Sequence, residues 1–293
     1  MLSLRLGLMN ALLHFFAEPF IGRPADMVNG DSASGASGRG EAANQGGGGG
    51  AAGNIPASQR VAGGDATLTR EIKRLKQRLV QEATFAVGML ETATDALLRL
   101  DVESARAVIR RDDEIDREEV IIEEECLRLL ALFQPFARDF RTIATLLRVN
   151  ADLERVGDHA TSIAKVTIKL HERGGVPQWP TSLQELTQRV PMLCHALLNS
   201  LLSESVEDAR AIFEKDKAID KLDKRLFEEC LDAMSEDRDS KASGLLMYRC
   251  GRELERVGDL MTNIAEDVVY LVTGSIVRHD KNERAAVFRR QEM

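Results

Sequence analysis

Apolar residues recur at helical spacing along most of the chain, from Thr67 to Gly274. The stripe opens with four such residues: Leu68, Ile72, Leu75 and Leu79. No proline lies between Pro56 and Pro135, so long helices can form there. The pattern predicts six helices, with ends uncertain by about two to four residues. They are 67–99, 102–132, 138–172, 181–203, 206–234 and 240–272.

The strongest internal stop signal lies between the third and fourth predicted helices. It consists of two glycines and two prolines: Gly174, Gly175, Pro177 and Pro180. Because such residues end helices and start loops, the cluster divides the helical region into two three-helix halves. We expect a first bundle over 67–175 and a second over 176–275.

The two halves are copies of one another. Residues 101–127 and 205–231 share 12 identities in 27 positions, and residues 148–164 and 249–265 share 10 in 17. The second match is centred on Leu-Glu-Arg-Val-Gly-Asp, which ends at Asp158 in one copy and at Asp259 in the other. Two copies about 100 residues apart indicate a duplicated unit and not a solenoid. The sequence therefore predicts an all-α fold of two tandem homologous three-helix bundles.

Both ends of the chain differ from this helical region. Residues 22–66 hold 13 of the 22 glycines, and we expect 1–66 to be a disordered Gly/Ser/Ala-rich extension. Its apolar start, 2–20, is read as an interfacial helix or as upstream residues, in preference to a secretory signal. The basic tail, 276–293, is expected to be a solvated end, with acidic lipid or a partner as the alternative.

Composition narrows the class of protein. The chain is 44% hydrophobic but only 4% aromatic, which disfavours β-sandwiches and β-barrels. Its net charge of −8 argues against nucleic acid as a partner. The sequence contains no run of 18 or more apolar residues, which is the length that a helix needs to span a bilayer. The four cysteines include no Cys-x-x-Cys pair, so we expect reduced, packed thiols in a cytoplasmic protein.

Acidic residues interrupt the apolar seams of the second and fifth helices. Asp112 and Glu119 occupy seam positions in the second helix, and Asp216 and Asp223 repeat them in the fifth. A carboxylate in an apolar seam is costly unless it is paired, protonated or bound to a cation. The placement of these acids therefore needs an explanation.

Each half offers two (Glu/Asp)-x-x-x-Asp pairs on adjacent helices. The eight residues are Asp112, Asp116, Glu154, Asp158, Asp216, Asp220, Glu255 and Asp259. A spacing of four places both carboxylates of a pair on one helical face, close enough to share cations. We therefore expect a carboxylate-rich metal cluster in each half. The alternative is a solvated acidic face whose ion pairs would use four arginines: Arg106, Arg155, Arg210 and Arg256.

The histidines argue against catalysis. None of the five follows a glutamate by three residues, so the Glu-x-x-His element of di-iron enzymes is absent, and no phosphate-binding loop occurs. His159 follows Asp158 but is replaced by Leu260 in the second copy, which favours a packed or surface histidine. We expect a protein that is not an enzyme. A metal-dependent enzyme of unknown substrate and a purely structural dimerising bundle are the alternatives.

The duplicated motifs resemble those of the PhoU family of bacterial phosphate-transport accessory and regulatory proteins. The resemblance rests on residues 151–159, on residues 253–259 with 263–266, and on the two Asp-x-x-Ile-Asp stretches that end at Asp116 and Asp220. The resemblance covers about residues 67–275. It implies two adjacent three-helix bundles whose acidic motifs bind multinuclear iron or zinc clusters in some members, with manganese or magnesium as alternatives.

The resemblance also implies a role and partners. Members associate with the phosphate-specific ABC transporter and with the phosphate sensor histidine kinase. For this chain, we expect the contact with the transporter to be through its ATPase subunit. They act at the inner face of the membrane and repress the phosphate-starvation response when phosphate is ample. For this chain we expect a cytoplasmic, metal-binding homodimer with the eight carboxylates as ligands. The leucine at 260 puts the equivalence of the two sites in doubt.

Overall fold

The computed structural model describes residues 57–174, 178–234, 238–278 and 286–290, except for the side chains of 57–65 and 238. Six long α-helices account for most of this part of the chain. They are α1 (Ala57–Arg99), α2 (Val102–Phe133), α3 (Ala137–Glu172), α4 (Thr181–Ser203), α5 (Val206–Ala233) and α6 (Arg238–Thr273). The fold is the expected all-α one, with two homologous three-helix units in tandem.

The predicted ends of five helices agree with the structure to within two residues, whereas α1 differs. It begins at Ala57, ten residues before the expected start, so 57–66 are helical where a disordered extension was expected. The short run Ala57–Ala62 contains good helix formers, which the surrounding glycines concealed. Residues 1–56, with the rest of the expected extension and the apolar start, lie outside the described residues.

The same turn joins the first two helices of each half. Leu100 and Glu204 adopt left-handed backbone conformations with φ of 51° and 48°, which end α1 and α4. Asp101 then caps α2 by accepting hydrogen bonds from two backbone N–H groups, and Ser205 caps α5 by accepting one from Asp208. This repeated turn places the duplicated helices in the same register in both halves.

The core lies along the helix seams. α2 packs against α3, α5 packs against α6, and α4 packs against both α5 and α6. α3 and α6, the helices that carry the Leu-Glu-Arg-Val-Gly-Asp motifs, pack against each other and join the halves. All four cysteines are free and buried, as the sequence predicts. Burial raises the pKa of the Cys126 thiol to about 12, so it is not a ready nucleophile.

Two buried acids link the halves through polar contacts. Glu253 on α6 lies 2.8 Å from His159 Nδ1 on α3 and accepts a hydrogen bond from Ser162. Asp267, also on α6, pairs with Arg148 at 2.8 Å and with Arg278 at 3.1 Å. Because the side chains of Glu253 and Asp267 are almost fully buried, these contacts add directional bonds to an apolar contact.

The tail differs from the solvated end that was expected. Arg278 is bound to Asp267, Val287 is buried, and the ring of Phe288 lies 6.1 Å from that of Phe213. Residues 286–290 are helical. The expectation missed this anchoring because it weighed the basic charges and not the apolar pair Val287–Phe288 between them. Residues 279–285 and 291–293 lie outside the described part.

None of the helices in the described ranges is both long enough and apolar enough to cross a membrane.

Candidate metal centre

The helix seams divide the eight candidate ligands into a half-buried and an exposed group. The half-buried group is Asp112, Glu154, Asp216 and Glu255. The exposed group is Asp116, Asp158, Asp220 and Asp259. Each (Glu/Asp)-x-x-x-Asp pair therefore has one carboxylate at the helix contact and one at its rim, one turn further along. This arrangement repeats in both halves, as the duplication predicts.

Glycines allow the two motif helices of each half to approach closely. A Cβ at Gly157 would come within 3.0 Å of Ile115 Cδ1 on α2. A Cβ at Gly258 would come within 2.9 Å of Asp216 Oδ1 on α5. Since a glycine inside a helix costs about 1 kcal/mol relative to alanine, close approach of the neighbouring helix explains both residues. The second glycine also makes room for a candidate ligand.

Asp216 is the most perturbed of the eight carboxylates. Burial, together with Asp220, Asp259 and Glu255, raises its pKa to about 7. Its Oδ1 is buried and has no hydrogen-bond partner, and Glu255 Oε2 is in the same condition. Burial also raises the pKa of Glu255, with Asp259 adding to the effect. Unpartnered acid oxygens that repel one another suit a bound cation.

The first half shows the same electrostatics with one added bond. Burial raises the pKa of Asp116, and repulsion from Asp112 and Asp158 adds to the shift. Burial likewise raises the pKa of Glu154, with Asp158 as the largest neighbouring charge. Asp112, however, accepts a hydrogen bond from Thr161 Oγ1 at 2.9 Å. The two half-sites are therefore similar but not identical.

The arginines that were expected to neutralise the motifs pair mostly with other acids. Arg106 contacts Glu103 at 3.1 Å, Arg155 contacts Asp152 at 3.3 Å and Arg256 contacts Glu253 at 3.7 Å. Arg210 lies over the ring of Phe288. Arg252, three residues before Glu255 on α6, does contact that acid, at 3.2 Å. Within the described residues, the direct ion pair between an arginine and a motif acid is therefore the one at Glu255.

No three His, Cys, Asp or Glu side chains in the described part of the chain are arranged so that they could hold a metal ion as they stand. Mutual repulsion keeps carboxylates apart when no cation lies between them. The donor chemistry and the unpartnered oxygens of Asp216 and Glu255 fit a metal, but binding it would require the side chains to rotate toward it.

His159 lies outside the acidic group, in agreement with the expectation of a packed histidine. Its Nδ1 faces Glu253 across the contact between the halves. Burial works to raise the pKa of Glu253, but the hydrogen bonds from His159 and Ser162 outweigh it and lower that pKa. His159 therefore stabilises an acid in the other half.

Sequence reasoning missed Glu82, a buried acid of α1. Its side chain is only 3% exposed, and both carboxylate oxygens lack a hydrogen-bond partner. Burial, with repulsion from Glu118, Glu119 and Glu154, raises its pKa to about 8. A signal was present, because position 82 lies three residues after Leu79 and four before Ala86 in the apolar seam.

Comparison with known proteins gives one consistent family. A sequence model described as the PhoU domain matches residues 79–167 and again 183–268. A phosphate-specific transport system accessory protein PhoU homolog from Xylella fastidiosa is 38% identical over 207 residues, which are 70% of this chain and 84% of that protein. A homolog with the same description from Deinococcus radiodurans is 35% identical over 187 residues, 64% of this chain and 87% of that protein.

Solved structures agree with the sequence matches. The crystal structure of PhoU from Pseudomonas aeruginosa has a TM-score of 0.68 and 31% identity, covering 71% of this chain and 99% of its own. The phosphate transport system regulatory protein PhoU from Streptococcus pneumoniae has a TM-score of 0.66 and 30% identity, covering 72% and 99%. The similarity thus spans nearly the whole of both solved proteins.

Proposed function

This chain belongs to the PhoU family, and from that premise we propose that it regulates phosphate uptake and the phosphate-starvation response. The observation that carries the proposal is the breadth of the match, since the chain covers 84% of a relative described as a phosphate-specific transport system accessory protein. Two domain matches, one in each half, add to it. In this reading the chain is an adaptor and not an enzyme.

We place its action in the cytoplasm, at the inner face of the membrane. The proposed partners are the ATPase subunit of the phosphate-specific ABC transporter and the phosphate sensor histidine kinase, with the chain as a negative regulator between them. An adaptor needs exposed contact surface. Support comes from the apolar turn, which we define as Leu132, Phe136 and Phe140, three large exposed side chains that flank the junction of α2 and α3.

In this proposal, the protein does not bind phosphate itself. It responds to the conformational state of the transporter, which reflects how much phosphate is available. The acidic sites repel an anion, and the chain has no sequence signature of a phosphate-binding loop. Titration calorimetry with inorganic phosphate on the metal-free full chain tests this step. We expect no heat of binding, whereas binding at micromolar phosphate would overturn it.

Metal binding belongs to the same proposal. The eight motif carboxylates, four in each half, would hold the ions at the contact of α2 with α3 and of α5 with α6. Iron or zinc clusters are the leading candidates, with manganese or magnesium as alternatives. A bound metal would supply positive charge that draws the motif helices of each half together and neutralises Asp216 and Glu255, whose Oδ1 and Oε2 atoms are buried without hydrogen-bond partners.

A homodimer is also proposed, and light scattering on the purified full chain measures it. A mass near twice 32.4 kDa is the expected result, and a single-chain mass would contradict it.

Complementation tests the regulatory role directly. The full chain is expressed in a bacterium that lacks its own PhoU, and a phosphate-starvation reporter is measured with ample phosphate. We expect the wild type to restore repression. The Asp158→Ala, Asp259→Ala double variant should restore less, whereas an exposed acid outside the motifs, Glu114→Ala, should act as the wild type does. A wild type that leaves the reporter on would refute the role, and equal repression by the double variant would refute the need for metal.

A further inference from the structure

Arg141 is an unpaired arginine beside the apolar turn. It directly follows Phe140 on α3, and its guanidinium lies against Gly274, the first residue after α6. A Cβ at position 274 would be 3.7 Å from Arg141 Cζ. The Nε atom is buried without a partner, and this guanidinium forms no hydrogen bond or ion pair within the described ranges. Its N–H donors are therefore unused there.

Glu204 and Asp267, which reach this part of α3 from neighbouring helices, are each shared by two cations. Glu204 contacts Lys76 at 2.6 Å and Arg138 at 2.7 Å. Arg138 lies one turn before Arg141 on the same helix. Asp267 is bound by two other arginines, one from α3 and one that follows α6. Both acids are already neutralised, so Arg141 adds a further positive charge.

Asp139, two residues before Arg141 on α3, does not neutralise it. Residues two apart in an α-helix lie about 200° apart around its axis, so their side chains leave the helix on nearly opposite sides. Asp139 is exposed, and in the described part of the chain no ion pair joins it to Arg141. The charge of Arg141 is therefore available to an acid that another molecule supplies.

The second half forms the corresponding helix contact without these side chains. By the offset of 101 residues, Ala242 corresponds to Arg141 and Lys241 corresponds to Phe140. Ala242 and Arg173 line a cavity of about 850 Å³ at that end of the contact between α3 and α6. Since one end of this contact packs with an alanine, the fold does not require an arginine at the other end.

Exposed apolar side chains flank Arg141 on both sides of its contact with Gly274. Phe140 is exposed on α3, Val272 is exposed in the last turn of α6, and Ile276 is 68% exposed. Arginine and aromatic side chains supply much of the binding energy of protein interfaces, and clustered exposed apolar groups mark such interfaces. We call Phe140, Arg141, Val272 and Ile276 the docking surface. It adjoins the apolar turn, because Phe140 belongs to both.

We propose that the docking surface binds a partner protein segment in which a carboxylate stands beside large apolar side chains. The guanidinium of Arg141 pairs with the carboxylate, and the apolar side chains of the segment cover Phe140, Val272 and Ile276. This docking rests on the proposed adaptor role, and it states the chemistry that the transporter's ATPase subunit has to offer.

A protein segment fits the docking surface better than an anionic lipid headgroup does. Arg141 has a buried Nε and lies against Gly274, so its donors point in fixed directions. A planar guanidinium held in this way suits a carboxylate that is itself held by a folded partner. The net charge of −8 also disfavours attraction of the chain to an anionic membrane.

Binding of the purified ATPase subunit to the full chain tests the proposal. Arg141→Gln removes the charge of the side chain, whereas Arg141→Lys keeps the charge but loses the planar fork. Arg110→Gln, at an exposed arginine of α2, is the matched control. Affinity is measured at low and at high salt, and circular dichroism verifies that each variant is folded.

We expect Arg110→Gln to bind as the wild type does and Arg141→Gln to bind at least about tenfold more weakly. Arg141→Lys should fall between them. The affinity of the wild type should decrease with salt more steeply than that of Arg141→Gln, because an ion pair is screened by salt. Equal affinity of the wild type and Arg141→Gln at low salt would overturn the proposal.

Complementation separates the docking surface from the proposed function. If the wild type restores repression of the reporter but does not bind the ATPase subunit, the regulatory role stands and the docking surface fails. If Arg141→Gln loses affinity for the subunit while the wild type does not restore repression, the docking surface stands without that role.

Vesicles that contain phosphatidylglycerol test the lipid alternative. We expect the wild type and Arg141→Gln to bind these vesicles equally. Capture of the wild type but not of Arg141→Gln, with equal affinity of both for the ATPase subunit, would show that the surface binds lipid and would overturn the proposal.

Discussion

Asp216 lies directly against Gly258, and a Cβ at position 258 would come within 2.9 Å of Asp216 Oδ1. The same motif glycine in the first half, Gly157, faces Ile115 at 3.0 Å instead. Gly258 also faces Ile219, the counterpart of Ile115, at 3.4 Å, so the second half adds a carboxylate to the apolar contact that both halves share. This contact couples helix packing to the candidate metal centre.

Alanine at either motif glycine should destabilise the protein. The gain of about 1 kcal/mol in helix propensity is opposed by overpacking that typically costs about 1–3 kcal/mol. We expect Gly157→Ala and Gly258→Ala to lower the free energy of unfolding in urea denaturation. Gly88→Ala on α1 is the matched control, because a Cβ there meets nothing within 4 Å. It should stabilise the protein by up to about 1 kcal/mol. Stabilisation by all three would contradict the close approach.

Asp216 should make the metal-free protein less stable as pH rises. Its pKa is about 7 in the folded chain, against an ordinary value of 3.8. Between these values the folded state holds the proton that the unfolded state has released, so stability is full below about pH 4 and falls as pH rises to about 7. With chelator present, Asp216→Asn should remove roughly 1–3 kcal/mol of that fall, a range discounted for partial solvent screening.

Urea denaturation at pH 5 and pH 8 measures the effect, with Glu228→Gln, an exposed acid of α5 outside the motif, as the control. A pH dependence that is the same in the wild type and Asp216→Asn would show that the carboxyl does not titrate in this range.

The contact between His159 and Glu253 should contribute measurably to stability. His159→Leu, which copies Leu260 of the second half, removes one partner of a buried carboxylate and should cost about 1–3 kcal/mol. Arg256→Ala removes a partner of the same acid that is 3.7 Å away and 57% exposed, so it should cost under about 1 kcal/mol. Chemical denaturation compares them, and an equal or reversed order would contradict this ranking.

The apolar turn should matter for partner binding and not for folding. Phe136 is 85% exposed, so Phe136→Ser should leave the melting temperature within about 2 °C of the wild type. If the turn docks the transporter's ATPase subunit, its affinity should fall at least about tenfold in a binding assay on the purified partners. Leu245→Ser, an exposed apolar position of α6, is the control. Unchanged affinity in Phe136→Ser would remove the turn from the interface.

The helical pattern was readable from the sequence because apolar spacing and proline placement dictate it. Five helices begin and end within two residues of their expected positions. The start of α1 was not readable, since glycine-rich composition masks a short run of helix formers. The anchored tail was missed because its only sequence signal is one apolar pair, Val287 and Phe288, within a segment of mostly charged residues.

The candidate site was only partly readable for a different reason. Motif spacing identifies which acids share a helical face. It does not show that Arg252, on the same helix, contacts Glu255, or that Glu82 on α1 is affected by acids of α2 and α3. Only the packing of the helices shows that Arg252 pairs with Asp223 and Glu255 and that Glu82 is buried.

Metal content tests the central claim most directly. Elemental mass spectrometry should be applied to the full chain purified without chelator, to Asp158→Ala, Asp259→Ala, and to Glu114→Ala as the control. The account predicts iron, zinc or manganese in the wild type and the control, and a large loss from the double variant. Absence of metal from all three proteins, or equal metal in all three, would contradict the assignment of the duplicated acidic motifs as metal sites.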